Sequence, residues 1–74
     1  GAQAIVVVGG RISANTMKLA ALVEKHGLPA YHVETAKELD FSHLQNNYTK
    51  IGVTAGASTP EFLITEVVEQ LETL

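Results

Sequence analysis

Chemistry in this chain is suggested first by a run of small residues between an apolar strand and a doubly marked helix start, Val53-Thr54-Ala55-Gly56-Ala57-Ser58-Thr59-Pro60-Glu61. Ser58 and Thr59 both suit an N-cap, Pro60 suits the first helical turn, and Glu61 completes a capping box from Ser58. Small side chains leading to a helix N-terminus leave backbone N–H groups pointing at open space, an arrangement that binds anions. A second loop has the same ingredients. Gly9-Gly10-Arg11-Ile12-Ser13-Ala14-Asn15 offers close backbone approach at its glycines, a hydroxyl at Ser13 and a carboxamide at Asn15. Neutral donors combined with a helix dipole match what phosphate oxygens accept.

Other chemistries find little support. The chain has no cysteine, hence no disulfide, no thiol nucleophile and no thiolate metal site of its own. His26, His32 and His43 lack metal-ligand spacing and read as a helix-end, a strand and a surface-turn residue. Glu34, Glu38 and Asp40 follow the second strand and read as solvated caps away from the two loops. Lys18 reads as solvated, and Arg11 as facing water or a neighbouring domain in preference to a bound anion. No Ser-His-Asp set, carboxylate pair or aromatic platform stands out, and the glycines fit neither the dinucleotide fingerprint nor the P-loop. A net charge of −3 and a pI near 5.4 argue against nucleic acid or an anionic membrane surface as partner. No apolar run approaches the roughly 18 residues of a membrane span. The reading is a soluble, cytoplasmic domain.

The elements that must hold these loops follow from periodicity. Ala4-Ile5-Val6-Val7-Val8 is a continuous β-branched run, the pattern of a strand covered on both faces. After Gly9-Gly10, Ser13 or Asn15 caps a helix with Met17, Leu19, Ala20, Leu22 and Val23 as its apolar positions. Lys25 and His26 suit its last turn, Gly27 suits C′, and Pro29 follows. Ala30-Tyr31-His32-Val33 is a second strand. Thr35 to Glu38 is a capping box opening one helical turn, and Asp40 to Tyr48 is irregular with a short turn near Ser42–Leu44. Lys50 to Thr54 is a third strand. The last helix runs from Pro60 to about Leu74, with Leu63, Val67, Leu71 and Leu74 on one stripe and Ile64 and Val68 beside it.

Strand–helix–strand–helix–strand–helix predicts an α/β fold, a small three-layer α/β/α domain around a three-stranded parallel sheet of order 2-1-3. In that order the chain reverses direction across the sheet between strands 1 and 3. Open α/β sheets bind ligands beyond the strand carboxyl ends at such a switch point. Both small-residue loops would border it. Singly, each loop reads as a helix cap; for the pair, capping and anion binding stand level.

With the motifs in place, the chain resembles the 4-hydroxy-3-methylbut-2-enyl diphosphate reductase (LytB) family. AIVVVGGRISANTMKLAALVEKHG and GVTAGASTPEFLITEVVEQL resemble the C-terminal domain of that family in order and spacing, over nearly all 74 residues. The resemblance implies that residues 1–74 are a single domain, the C-terminal lobe of a three-lobed reductase and a piece of something longer. The family's enzyme uses a [4Fe–4S] cluster to dehydroxylate its substrate reductively, giving isopentenyl and dimethylallyl diphosphate in the non-mevalonate pathway. Its S-S-N motif matches Ser13-Ala14-Asn15, and the serine of its A-G-A-S motif matches Ser58. The resemblance therefore implies Ser13, Asn15 and Ser58 as ligands of the substrate diphosphate, with Ala14 contributing its backbone N–H.

Two departures accompany the match. Ala14 replaces the family's second serine, and Ile12 stands where a polar residue is common. The resemblance implies no catalytic residue, no metal ligand and no cofactor in this chain. Its partners are then an isoprenoid diphosphate and the other two lobes, the cluster lying in the full-length parent. The alternative is a non-catalytic phosphate-binding or structural interaction module in a different parent. A chain of 74 residues buries a modest core, and a lobe parted from its neighbours leaves apolar surface in water. Its thermal unfolding midpoint, followed by circular dichroism, is expected below about 80 °C.

Overall fold

β-Branching decides the centre of the sheet. Ala4–Val8 (β1) is buried at four of its five positions and lies between Ala30–Val33 (β2) and Ile51–Ala55 (β3), all parallel, in the order β2-β1-β3. The computed structural model describes residues 2–72. Val6 stands opposite Tyr31 and Val53, and Val8 opposite Val33 and Ala55. The alternation of a strand sends these side chains to one face and Ile5, Val7, His32 and Thr54 to the other. The expected fold class and strand order are observed.

The face carrying Val6 and Val8 is covered by the second half of the chain. Its core joins Val6, Val8 and Val33 to Ala36, Leu39, Leu44 and Val67. Val67 belongs to the last helix, Glu61–Glu72 (α3), whose Leu63, Ile64 and Leu71 pack against the same cluster as the apolar stripe predicts. Leu74, assigned to that stripe from the sequence, lies outside the described residues. The opposite face meets Ala14–Lys25 (α1), which packs on β1 and β2.

Local signals set several boundaries. Gly27, at φ 82°, takes the left-handed conformation that ends α1. A 3₁₀ turn occupies Ala36–Glu38, where the Glu38 carboxylate accepts from the Thr35 N–H at 3.2 Å and the Glu34 N–H at 3.1 Å.

Three expectations need correction. The Asp40–Tyr48 stretch is a full helix, Phe41–Asn47 (α2), capped by the Asp40 side chain accepting from the His43 N–H at 3.0 Å. Leu44 is its one fully buried anchor. The third strand is shifted by one residue, to Ile51–Ala55. On α1, Met17 and Leu22 are half in water, and the inward row is Thr16, Leu19, Ala20 and Val23 instead. A threonine occupies the first buried position of that row.

Replacing a fully buried leucine by alanine costs about 2–5 kcal/mol, comparable with the whole stability of a domain this size. Leu44→Ala is therefore expected to leave the chain largely unfolded at 25 °C, whereas the exposed Leu22→Ala should shift its urea midpoint little.

Candidate functional site

The carboxyl ends of β1 and β3 lie side by side, with Val8 opposite Ala55, so the chain leaves both strands at one place. The Val8 carbonyl holds the two exits together. It accepts the Gly56 N–H at 3.2 Å and the Thr59 hydroxyl at 3.1 Å. Thr59 is thus turned inward to brace the β3–α3 loop. No hydrogen bond joins Ser58 to Glu61 among the described residues, so the expected capping box does not form. The Pro60 carbonyl instead accepts the Leu63 N–H at 3.2 Å in the first turn of α3.

Ser58 is consequently exposed with its hydroxyl unengaged, at the mouth of the loop. Ser13 is half-buried and is the N-cap of α1; its Oγ accepts the Thr16 N–H at 3.4 Å. Capping and ligand binding are compatible in one hydroxyl, because the cap uses a lone pair and leaves the proton free to donate. Asn15 lies within the first turn and is exposed, which settles the choice of cap in favour of Ser13. The N–H groups of Ala14, Asn15, Ala57 and Ser58 have no acceptor among the described residues. No acidic residue stands in the first turn of α1, whereas Glu61 stands in that of α3. An anion is therefore favoured more by the α1 dipole.

Gly9 plays a different part from the one expected, and Gly56 shares it. Gly9 and Gly56 are buried, and what lies against both is the side chain of Thr16. A Cβ on Gly9 would collide with Thr16 Oγ1 and lie 2.8 Å from its Cγ2; a Cβ on Gly56 would collide with the same hydroxyl. Close approach at these glycines thus serves Thr16 and not a ligand. Thr16 is 1% exposed, and its Oγ1 is buried without a hydrogen-bond partner. Leaving a buried hydroxyl unpaired costs about 1–3 kcal/mol, which a valine of the same shape would avoid. Sequence reasoning missed Thr16. Its spacing to Ala20 and Val23 carried the signal, masked by its polar type.

Arg11 is not available to an anion. Its guanidinium pairs with Glu38 and lies 3.7 Å from Glu34, whose carboxylate also accepts the Arg11 backbone N–H at 3.3 Å. Glu34 and Glu38, expected to stand apart from the loops, anchor the first loop to the end of β2. On the same loop the Gly9 carbonyl lies 3.1 Å from Nε2 of His32, which donates when protonated there. The site is therefore built from neutral donors. An open cavity of about 450 Å³ lies elsewhere, lined by Gln45, Tyr48, Thr49, Ile51, Leu71 and Glu72. It carries a carboxylate and no cation, which suits an anion poorly.

Comparison with known proteins gives the family. The profile of the LytB protein family matches residues 1–72. The chain belongs to that family. It is 62% identical over 74 residues to a 4-hydroxy-3-methylbut-2-enyl diphosphate reductase of Opitutus terrae, covering 100% of this chain and 25% of that protein. The corresponding reductase of Clostridium perfringens strain 13 is 45% identical over 74 residues, covering 99% of this chain and 26% of the relative. The chain thus spans about a quarter of the length of the curated relatives it matches. Among solved structures, the E-1-hydroxy-2-methyl-but-2-enyl-4-diphosphate reductase of Plasmodium falciparum superposes with a TM-score of 0.87 at 35% identity. That match covers 93% of this chain and 21% of the other. The structure of an (E)-4-hydroxy-3-methyl-but-2-enyl diphosphate reductase, described as the terminal enzyme of the non-mevalonate pathway, gives 0.85 at 31% identity, covering 99% of this chain and 26% of that one.

The link from the first loop to the segment after β2 is pH-dependent. The hydrogen bond from Arg11 holds the Glu38 carboxyl below its ordinary pKa, helped by the backbone N–H groups of Glu34 and Thr35 and opposed by partial desolvation. A depressed folded-state pKa gives stability that is present above the unfolded value, near 4.3, and lost as pH falls through the folded one. The Glu34 and Thr35 amide resonances, both donors to the Glu38 carboxylate, are therefore expected to titrate together below the ordinary glutamate range and to lose that titration in Glu38→Gln. Separate midpoints for the two amides would contradict the assignment.

Proposed function

We propose that this chain is the diphosphate-binding lobe of an iron–sulfur reductase, residues 1–74 forming one domain of a longer parent in the cytoplasm. The observation that carries the reading is the meeting of two donor loops at the switch point, in a chain of the LytB family. Ser13, Asn15 and Ser58 are its side-chain ligands and Ala14 adds a backbone N–H. All are neutral donors, so they bind by direction and dipole in place of net charge. Their work is positioning: a diphosphate held at one end presents the rest of the substrate to chemistry that happens elsewhere.

A cluster does not fit this chain. It has no cysteine, and no group of three or more His, Cys, Asp or Glu among the described residues could hold a metal ion. Under this reading the residues that would hold a cluster lie outside this chain, which alone is not catalytic. The partners are an isoprenoid diphosphate and the parent's other two lobes. Among the described residues no helix is long and apolar enough to cross a membrane.

Titration of the isotope-labelled chain with inorganic pyrophosphate tests the reading. Amide shifts are expected to concentrate at Ser13–Asn15 and Ala57–Ser58, with millimolar affinity for a lobe holding part of the donor set. Ser58→Ala is the cleanest variant, because its hydroxyl has no bond to lose within the chain. Removing one donor to a charged ligand should weaken binding about tenfold at unchanged thermal stability. Silence of both loops at about 50 mM pyrophosphate, well above a millimolar Kd, would sink the proposal.

A further inference from the structure

Thr16 is a buried polar residue that neither the expected ligand set nor the hydrophobic core accounts for. It sits three residues after Ser13, on the inward row of α1, and its hydroxyl has no partner. The two backbones against that hydroxyl belong to the two loops of the candidate site, at Gly9 and Gly56. Its own N–H is the one that Ser13 caps. A single side chain therefore touches the β1–α1 loop and the β3–α3 loop, while the same residue's backbone is held by the capping serine.

We propose that Thr16 is the positioning residue of the anion site, spacing α1 from the two loops at Gly9 and Gly56, with a hydroxyl that is unpaired in the free chain and paired in the anion-bound one. This rests on the diphosphate-binding reading for its ligand, but not for the spacing. The physical case has two parts. Glycine at both positions lets one threonine side chain lie against both loops where they leave the sheet, so its thickness sets how closely α1 approaches them. A donor left unpaired in a buried place raises the free energy of the unliganded state, and any ligand-bound arrangement that pairs it recovers that cost as affinity. Valine in the same space would give the spacing without the hydrogen bond.

Two variants of the full chain separate these contributions, with inorganic pyrophosphate as the probe. Thr16→Val is expected to unfold at or above the wild-type temperature and yet to bind pyrophosphate about fivefold or more weakly. Thr16→Ser, which restores the hydroxyl, is expected to stay within about twofold of wild type. Affinity in Thr16→Val equal to wild type, or Thr16→Ser binding as weakly as Thr16→Val, overturns the role of the hydroxyl.

The spacing is tested without any ligand by a double-mutant cycle. Gly56→Ala should lower the unfolding midpoint strongly in the wild-type chain and much less in a Thr16→Ala background, because the collision partner is gone. Equal losses in both backgrounds overturn the spacing. If wild-type chain fails to bind pyrophosphate, the diphosphate reading fails with it, as does the hydroxyl's part; the cycle then decides the spacing alone. If Thr16→Val does not fold, comparison of Thr16→Ser with Thr16→Ala for pyrophosphate affinity decides the hydroxyl's part, equal affinities overturning it.

Discussion

The packing of Thr16 against Gly9 and Gly56 constrains the whole carboxyl edge of the sheet. Neither neighbour tolerates a Cβ, so α1 can come no closer to the two loops than one threonine and no farther without opening a void. The Val8 carbonyl works from the other side, taking the Gly56 N–H and the Thr59 hydroxyl and so tying the second loop to the end of the first strand. The sheet supplies the parallel start of the two loops; Thr16 and Val8 hold them in register past it. Ser13 and Ser58 are then carried at fixed places by backbone that has little freedom to move.

The charges around this edge point the same way. The loop's one cation is taken up by Glu34 and Glu38, which fasten the first loop to the segment after β2. Such exposed pairs add little to stability, and their main effect here is geometric. What remains for a ligand is a set of N–H and O–H groups with the α1 dipole behind them. Donors of this kind gain strength when water is excluded, and far less when the edge lies open to solvent.

Much of the fold was legible because its determinants are local. The β-branched run of β1, Gly27 at the end of α1 and the Thr35–Glu38 turn each announce themselves within a few residues, and the strand order follows from handed crossovers. The candidate residues were visible as types, and the side-by-side exit of their loops followed from topology. What stayed hidden depends on contacts across the chain. Arg11 meets partners 23 and 27 residues away, and Thr59 meets Val8 across 51. No spacing rule distinguishes that brace from a capping box at Ser58. The extent of α2 was hidden for another reason, since a seven-residue helix buries one full turn's anchor, Leu44, and shows too short a period to recognise. Thr16 escaped because a polar residue on an apolar row breaks the pattern used to find the row.

Under the proposed reading, a neutral site also explains why this edge makes sense only in company. Ile12, at 97% exposure, and Phe62, at 64%, flank the two loops and gain nothing from facing water. Single exposed apolar residues are common and carry no weight individually. Here they adjoin donors whose strength depends on drying the same place, in a chain a quarter the length of its relatives. If the remaining length covers this edge, one event removes apolar surface from water and lowers the dielectric around the N–H groups. Under the proposed reading, donors elsewhere in the parent would then act at high effective concentration with these, so that individually weak grips on one diphosphate combine into a strong one.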